Sequence, residues 1–197
     1  MKKIIFATSN EGKMKEIREI LDGLDIELLS MKEAGINIDI EENGTTFEEN
    51  AIIKAKAIME LTHEIVLADD SGLEVDYMDK APGVYSARYM GESTSYDIKN
   101  QYIIDQLKNA SEEERTARFV CVIACALPNG EIITRKATIE GYIGNEIAGE
   151  NGFGYDPIFY VPEFNCTTAQ MSSEIKNQIS HRGKALKAIK NELIQYL

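Results

Sequence analysis

The stretch IIFATSNEGKMKEIREILDGLDIELLSM, residues 4–31, contains a strand, a polar loop, a helix and a second strand in succession. Ile4–Ala7 is short and entirely apolar, which is typical of a buried strand. After the polar loop, apolar side chains recur with the period of a helix, at Met14, Ile17, Leu21 and Leu24. Ile26–Met31 then predicts a second strand. A strand, a helix and a strand in such close succession favour the α/β class.

The rest of the chain continues this alternation. A capping box, Thr46-Phe47-Glu48-Glu49, begins a second helix, and Ser95 can cap a third. Strands are predicted at Ile65–Ala68 (stopped by Asp69-Asp70-Ser71-Gly72), Leu73–Tyr77, Arg118–Leu127, Glu131–Ile143 and Pro157–Val161, with a hairpin turn at Pro128-Asn129-Gly130 and a closing helix from Gly183 to Leu197. We predict one α/β domain over residues 1–197, in two lobes around a mixed sheet.

The charge balance excludes two classes of partner. The chain has 21 Lys and Arg against 33 Asp and Glu, a formal net charge of −12. Sequence-independent binding to nucleic acid needs a basic face, and binding to anionic membranes needs a basic patch. We therefore expect no nucleic-acid partner and no membrane partner.

The lengths of the apolar stretches and the number and spacing of the cysteines indicate where in the cell the protein works. No stretch approaches the roughly 20 apolar residues that span a bilayer, and the N-terminus lacks a signal-peptide core. Cys121, Cys125 and Cys166 are odd in number and lack CxxC spacing, which favours reduced thiols over a metal site. We expect a cytoplasmic protein.

The loop between the first strand and the first helix is a candidate anion site. It reads Thr8-Ser9-Asn10-Glu11-Gly12-Lys13, without the spacing of a Walker A loop. Free backbone N–H groups, the helix dipole and the Lys13 charge would together attract a phosphate. The alternative is an ordinary helix cap with a solvated lysine.

Carboxylates in two places suggest a metal site. Asp69 and Asp70 follow an apolar strand, and side chains of neighbouring strand residues point to opposite faces, so one carboxylate at most enters a given cleft. Carboxylate oxygens suit Mg²⁺, which takes one or two from protein and the rest from water and phosphate. Glu41-Glu42 would matter if one of them lies opposite Asp70. The alternatives are a capping turn for Asp69-Asp70, a solvated acidic pair, and an exposed side chain for the nearby Lys54.

Two later segments carry further candidates. Gly152-Phe153-Gly154-Tyr155-Asp156-Pro157 fails the dinucleotide fingerprint because a proline, not a helix, follows it, but an exposed ring there would stack on a base. The alternative is that Phe153 and Tyr155 are core residues. Lys176 and Ser180-His181-Arg182-Gly183-Lys184 place several donors before the last helix, where a dipole prefers carboxylates. They suit an anion or a carbonyl-rich ligand, although His181 alone is more often a hydrogen-bonding residue than a base.

Taken in order, these segments resemble one family. The motifs are Thr8-Ser9-Asn10-Glu11-Gly12-Lys13, Phe47-Glu48-Glu49-Asn50-Ala51 with Lys54, Asp69-Asp70-Ser71-Gly72-Leu73, Ala81-Pro82-Gly83-Val84-Tyr85-Ser86-Ala87-Arg88, Gly152-Phe153-Gly154-Tyr155-Asp156-Pro157 and Ser180-His181-Arg182-Gly183. The set is similar to the inosine triphosphate pyrophosphatase family and covers essentially the whole chain. Asn151 stands where that family commonly has glycine, and Glu74 where it has a small or apolar residue; neither carries a predicted role.

The resemblance implies an activity and an architecture. It implies hydrolysis of ITP, dITP and XTP to the monophosphate and pyrophosphate, which removes deaminated purines from the nucleotide pool before they enter DNA or RNA. It also implies an elongated α/β structure, with a long, mixed, twisted sheet between two lobes and helices on its flanks, and a homodimer with the active site in the cleft.

The resemblance also implies roles for residues. Asp70 and Glu41 would hold Mg²⁺, and Asp70 would accept a proton from the attacking water. The loop from Thr8 to Lys13 and Lys176 would bind phosphate oxygens, with Lys54 as a further candidate, and Ser71 would contact substrate beside the metal. Phe153 would stack on the purine, and Gly154, Tyr155 and Asp156 of the same loop would also contact substrate. Asp156 would take part in base recognition.

Specificity is expected at position six of the purine. Hypoxanthine and xanthine carry a carbonyl oxygen there, which donors on His181 and Arg182 would favour, whereas the amino group of adenine would leave those donors unmatched. Two alternatives are a Maf-type pyrophosphatase acting on pyrimidine triphosphates, which the Phe153 loop and Ser180–Gly183 argue against, and a nucleotide-binding sensor without turnover. Intact Asp70, Glu41 and Lys13 argue against the sensor.

Overall fold

The computed structural model describes all residues from Met1 to Leu197. It contains seven strands and five α-helices in a predominantly alternating order. The strands are β1 Lys2–Phe6, β2 Ile26–Ser30, β3 Ile65–Val75, β4 Thr116–Ala126, β5 Ile132–Ile143, β6 Phe159–Val161 and β7 Cys166–Thr167, and the helices are α1 Glu11–Leu21, α2 Phe47–Thr62, α3 Tyr96–Gln106, α4 Ser173–Ile179 and α5 His181–Leu193. The α/β prediction is confirmed.

All strands belong to one mixed sheet in the order β2-β1-β3-β4-β5-β6-β7. β1 pairs in parallel with β2, Lys2 opposite Ile26, and with β3, Ile4 opposite Ile65. β5–β6 and β6–β7 are antiparallel. The predicted mixed sheet is therefore correct, and the Leu127–Glu131 turn joins β4 to β5 as expected.

By contacts, the chain divides into two compact units. Unit 1 comprises residues 1–70, 121–137 and 181–197, and unit 2 comprises residues 71–120 and 138–180. In unit 1, buried residues of α1 and α5 pack with β1 and the second half of β4: Met14, Ile17, Leu186, Ile189, Phe6 and Ile123. The core of unit 2 includes Leu73, Ile103, Phe119, Ile143, Ile158 and Phe159. Each unit thus has its own hydrophobic core.

The boundaries of the predicted strands around Asp69–Gly72 and at Pro157–Val161 differ from those in the structure. Asp69-Asp70-Ser71-Gly72 does not stop a strand but lies inside β3, which runs unbroken to Val75. Asp69 can stay in the strand because the charged partners described below offset its burial, whereas burial raises the pKa of Asp70. The strand expected at Pro157–Val161 begins only at Phe159, since a short 3₁₀ turn covers Asp156–Ile158.

The helix carrying Lys176 was not predicted. Ser173–Ile179 forms α4, capped by the Ser172 side chain, and α5 begins at His181 rather than at Gly183. Lys176 therefore lies on a separate helix and not at the entry to the last one. None of the helices is both long and apolar enough to cross a bilayer.

Candidate active site

The loop after β1 forms the start of α1 as a capped helix. The Asn10 side chain accepts a hydrogen bond from the Lys13 backbone N–H at 3.0 Å, and the Asn10 N–H donates to Thr8 Oγ1 at 3.2 Å. Ser9, Glu11 and Gly12 are exposed. The predicted cap is present, and the N–H groups of Glu11 and Gly12 belong to the first turn of α1, where a helix attracts anions.

The Lys13 side chain ends at a buried carboxylate. Lys13 Nζ lies 3.0 Å from Asp69 Oδ2, and Arg182 Nη2 lies 3.3 Å from the same oxygen. Arg182 Nη1 also pairs with Glu16 Oε2 at 2.6 Å. Asp69 is 1% exposed and Arg182 is 2% exposed. These four residues form a buried chain of alternating charges, Lys13–Asp69–Arg182–Glu16, which offsets the cost of burying each ion.

The environment of Asp69 keeps its carboxylate ionised. Burial by itself raises the pKa of Asp69, but Lys13, Arg182 and Lys54 outweigh burial and hold that pKa well below its usual value. Arg182, predicted as a base-contacting donor, has two of its nitrogen atoms engaged with carboxylates. Glu16 was not predicted to take part; its spacing of one helical turn from Lys13 was the available signal.

Asp70 has the opposite environment. It is 7% exposed, and burial, together with the negative charges of Glu42 and Asp69, raises its pKa to about 6, although Lys54 and Asn50 lower it. Lys54 Nζ lies 3.9 Å from Asp70 Oδ1 and 2.9 Å from Glu42 Oε1. Lys54 is therefore not the exposed lysine of the alternative interpretation but the cation between two carboxylates.

Glu41 and Glu42, the acidic pair before α2, have different surroundings. Glu42 reaches Lys54, whereas Glu41 is exposed. The following segment is held to α2 because the Gly44 N–H donates to the side-chain oxygen Oδ1 of Asn50 at 2.8 Å. A Cβ at Gly44 would lie 2.6 Å from that same oxygen, so the close approach requires glycine.

The donor set of unit 1 admits a divalent cation without enclosing it. No group of three or more His, Cys, Asp or Glu side chains is arranged to hold a metal ion by itself. Asp70 instead lies near two further carboxylates, Glu42 and Asp69, and burial together with these negative charges raises its pKa. Such a site suits an ion that takes few protein ligands and completes its shell with substrate and water.

In unit 2, Asp156 organises the glycine-rich loop. Its Oδ2 accepts hydrogen bonds from the Phe153 backbone N–H at 2.8 Å and from Lys176 Nζ at 2.7 Å, and its Oδ1 accepts one from Thr168 Oγ1 at 2.8 Å. Gly152 has φ +71°, and a Cβ there would overlap Asp156 Oδ2. Glycine is required at 152 for both reasons.

The two aromatic rings of this loop have different surroundings. Phe153 is partly exposed, with Lys176 Nζ 4.9 Å from the centre of its ring. Tyr155 belongs to the core of unit 2 and donates its hydroxyl to the Ser86 carbonyl at 2.6 Å. The core alternative therefore holds for the Tyr155 side chain. Asn100 Nδ2 donates to the Gly154 carbonyl at 3.0 Å and attaches the loop to α3.

The other predicted residues are placed as follows. His181 is buried at the first residue of α5, and Ser71 is half-buried within β3. Thr168, Asn50 and Ser86 connect site residues to the fold. No role was predicted for them, because hydroxyl and amide side chains carry no distinctive pattern in a sequence. Cys121 and Cys125 are buried in the core of unit 1, and burial raises the pKa of both thiols to about 12.

Known proteins resemble this chain over nearly its whole length. The model of the Ham1 family matches residues 4–192. Two relatives named dITP/XTP pyrophosphatase are 48% identical (Clostridium perfringens, 98% of each chain) and 51% identical (Desulforamulus reducens, 94% of this chain and 92% of the relative). The solved Ham1 protein of Staphylococcus aureus superposes with a TM-score of 0.89 at 42% identity, covering 100% of both chains.

The match is long, continuous and well above the identity at which a shared fold alone would be the conclusion. It includes every segment on which the resemblance was based. The chain belongs to the Ham1 family.

Proposed function

We propose that this protein hydrolyses ITP, dITP and XTP to the nucleoside monophosphate and pyrophosphate, working as one catalytic domain over residues 1–197. The observation that carries the proposal is the Asp70 carboxylate, held ready beside Lys54 and Glu42 in a chain whose relatives are named dITP/XTP pyrophosphatases. Attack by water on the α-phosphate, with pyrophosphate leaving, requires alignment and charge stabilisation more than covalent help from the protein.

Unit 1 supplies groups suited to the triphosphate. The first-turn N–H groups of α1 and the Lys13 ammonium suit phosphate oxygens. Asp70 accepts the proton of the attacking water, the role that the family resemblance implies for it. Lys54 keeps the neighbouring carboxylates in place and contributes positive charge.

The metal in this proposal is Mg²⁺, held by Asp70 and Glu41. When bound, it would neutralise charge on the phosphate oxygens. Glu41 is exposed and so accessible to an ion arriving with the nucleotide, whereas Glu42 is paired with Lys54. Glu41→Gln should raise the Mg²⁺ concentration needed for half-maximal activity several-fold, and Glu42→Gln should raise it less; the reverse order would move the ligand role to Glu42.

Unit 2 supplies groups suited to the base. The partly exposed Phe153 ring is available to stack on a purine, worth about 1–3 kcal/mol by comparison with bases stacked on other aromatic residues. Lys176, which the resemblance placed on phosphate oxygens, lies against that ring. We therefore reassign Lys176 to the edge of the base, where an ammonium favours the carbonyl of hypoxanthine or xanthine over the amino group of adenine.

Assembly and location complete the proposal. We propose a homodimer, as the family resemblance implies, and sedimentation should then give a particle of twice the 22.0 kDa chain mass. We also propose that the protein works in the cytoplasm, because its substrates belong to the nucleotide pool.

The deciding experiment measures pyrophosphate release from ITP, XTP, dITP, GTP, ATP and pyrimidine triphosphates, with and without Mg²⁺. We expect metal-dependent release that is fastest with ITP, dITP and XTP. Comparable rates with ATP and ITP would refute recognition at position six, and orthophosphate as the direct product would refute cleavage between the α- and β-phosphates. Preference for pyrimidine triphosphates would favour the Maf-type alternative.

A further inference from the structure

A threonine outside every motif of the sequence is built into the network behind the Phe153 ring. Thr168 is 1% exposed, and its hydroxyl donates to Asp156 Oδ1 at 2.8 Å. The other oxygen of the same carboxylate holds both Lys176 Nζ and the Phe153 N–H. One buried carboxylate thus connects Thr168 with the Lys176 ammonium and with the backbone of Phe153, the residue that carries the ring.

The geometry limits what Asp156 can do. Both of its oxygen atoms accept hydrogen bonds from the protein, and the side chain is 3% exposed. A carboxylate of this kind does not need a substrate donor to complete its bonding. Its position also depends on room at Gly152, where any Cβ would overlap Oδ2.

The Thr168 hydroxyl is the donor to Oδ1 and so helps to fix the rotation of this carboxylate; it lies 2.8 Å from Oδ1 and 3.2 Å from the backbone carbonyl oxygen of Asp156. With Oδ1 anchored, Oδ2 is directed at the same time to Lys176 and to the backbone of Phe153. Without the anchor, the terminal torsion of aspartate is broad, so Oδ2 could follow the flexible lysine and leave the Phe153 N–H. The position of the Lys176 ammonium relative to the Phe153 ring would then no longer be fixed.

We propose that Thr168 and Asp156 are positioning residues that hold the Lys176 ammonium over the Phe153 ring, and that discrimination between 6-oxo and 6-amino purines depends on this pair. The inference rests on the proposed function, since it concerns how the same site distinguishes its substrates. It gives Asp156 an indirect role in base recognition, and it adds a residue for which the sequence offered no signal.

The test compares three variants with the wild-type chain. Thr168→Val removes the hydroxyl at nearly constant volume, and Thr168→Ser keeps it. Thr167→Val is the matched control, because Thr167 is also buried and donates to the Ala148 carbonyl at 2.7 Å, outside the Asp156 network. Melting temperatures identify any variant that fails to fold, and kcat and KM are measured for ITP and ATP.

We expect Thr168→Val to raise KM for ITP about tenfold, the value of one charge-assisted hydrogen bond, with kcat within about twofold of wild type. The ratio of kcat/KM for ITP to that for ATP should fall by a similar factor. Thr168→Ser should restore both, and Thr167→Val should leave the ratio unchanged. Equilibrium dialysis of IMP should show the same loss of affinity without turnover.

Two outcomes separate the inference from the proposed function. If the wild-type chain prefers ITP but Thr168→Val and Thr167→Val have equal ratios of kcat/KM for ITP to kcat/KM for ATP, the positioning role is wrong and the proposed function stands. If the wild-type chain does not prefer ITP, the proposed function itself fails. Should Thr168→Val not fold, Thr168→Ala is compared with Thr168→Ser by the same ratio, and equal values would overturn the inference.

Discussion

Asp69 and Asp70 are neighbours in β3 with opposite electrostatic surroundings. Because successive side chains leave a strand on opposite faces, Asp69 meets Lys13 and Arg182 while Asp70 meets Lys54 near Glu42. Cations lower the pKa of the first, whereas burial and nearby carboxylates raise the pKa of the second. One residue is suited to holding charges in place, and the other is suited to exchanging a proton.

Asp70→Asn should abolish pyrophosphate release while making the fold more stable at pH 8. The pKa of Asp70 is raised from 3.8 to about 6 in the folded state, so its ionised form costs stability once the pH rises through that range. The neutral amide removes this cost, which is about 3 kcal/mol for such a shift in pKa. Urea denaturation at pH 8 and pH 4 checks the sign: the gain should be present at pH 8 and nearly absent at pH 4.

Asp69→Asn should destabilise the protein by about 3 kcal/mol at pH 7, because Lys13 and the buried Arg182 lose their shared counter-charge. The pKa of Asp69 is depressed, so its contribution is present above the ordinary value of 3.8 and is lost as the pH falls below it. The difference in unfolding free energy between the two chains should therefore be constant from pH 8 to about pH 5 and should shrink progressively as the pH falls below 3.8. A difference that grows as the pH falls would contradict the ion-pair explanation.

At the scale of elements, the starts of α2 and α3 were predicted from their caps, whereas α4 was missed and α5 begins two residues before the predicted Gly183. Asn10, Thr46 and Ser95 each cap a helix in the structure, because capping depends only on side chains within a few residues of the helix start. The end of a strand is less local. β3 continues through Asp69–Gly72 because Lys13 and Arg182, both distant in sequence, compensate the buried charge of Asp69, and no local pattern reports such partners.

The capping box of α2 gives a test at this scale. The Thr46 side chain accepts from the Glu49 N–H at 3.1 Å, and the Glu49 side chain accepts from the Thr46 N–H at 3.2 Å. Thr46→Ala should cost about 1 kcal/mol of unfolding free energy in urea. Glu60→Ala, at an exposed position of the same helix, is the control and should change stability by less than about 0.5 kcal/mol. Equal effects of the two changes would show that the box contributes nothing special.

For the whole molecule, the net charge of −12 describes the surface and not the environment of each site. An extended polyanion would contact the negatively charged surface, whereas a triphosphate needs only a few cations at one site, such as Lys13 and Lys54. The same chain can therefore reject nucleic acid and accept a nucleotide.

Labelled duplex DNA should show no saturable binding to the protein at 150 mM salt, and lowering the salt to about 50 mM should not create any, since counterion release requires a basic face. Fluorescence anisotropy measures this directly. Binding that strengthens steeply as salt is removed would reveal a basic face that the charge balance does not predict.

The sequence by itself determined the α/β class, the helix caps, the β4–β5 turn and the family, because these depend on local periodicity, short-range hydrogen bonds and motif order. Only the tertiary structure decided which charges meet. Glu16 and Arg182 lie far apart in the chain, and so do Asp156 and its partners Thr168 and Lys176. In both cases the packing of the fold brings the side chains into contact. Electrostatic interactions and hydrogen bonds act over a few ångströms of space, so their partners follow from the fold and not from the spacing of residues.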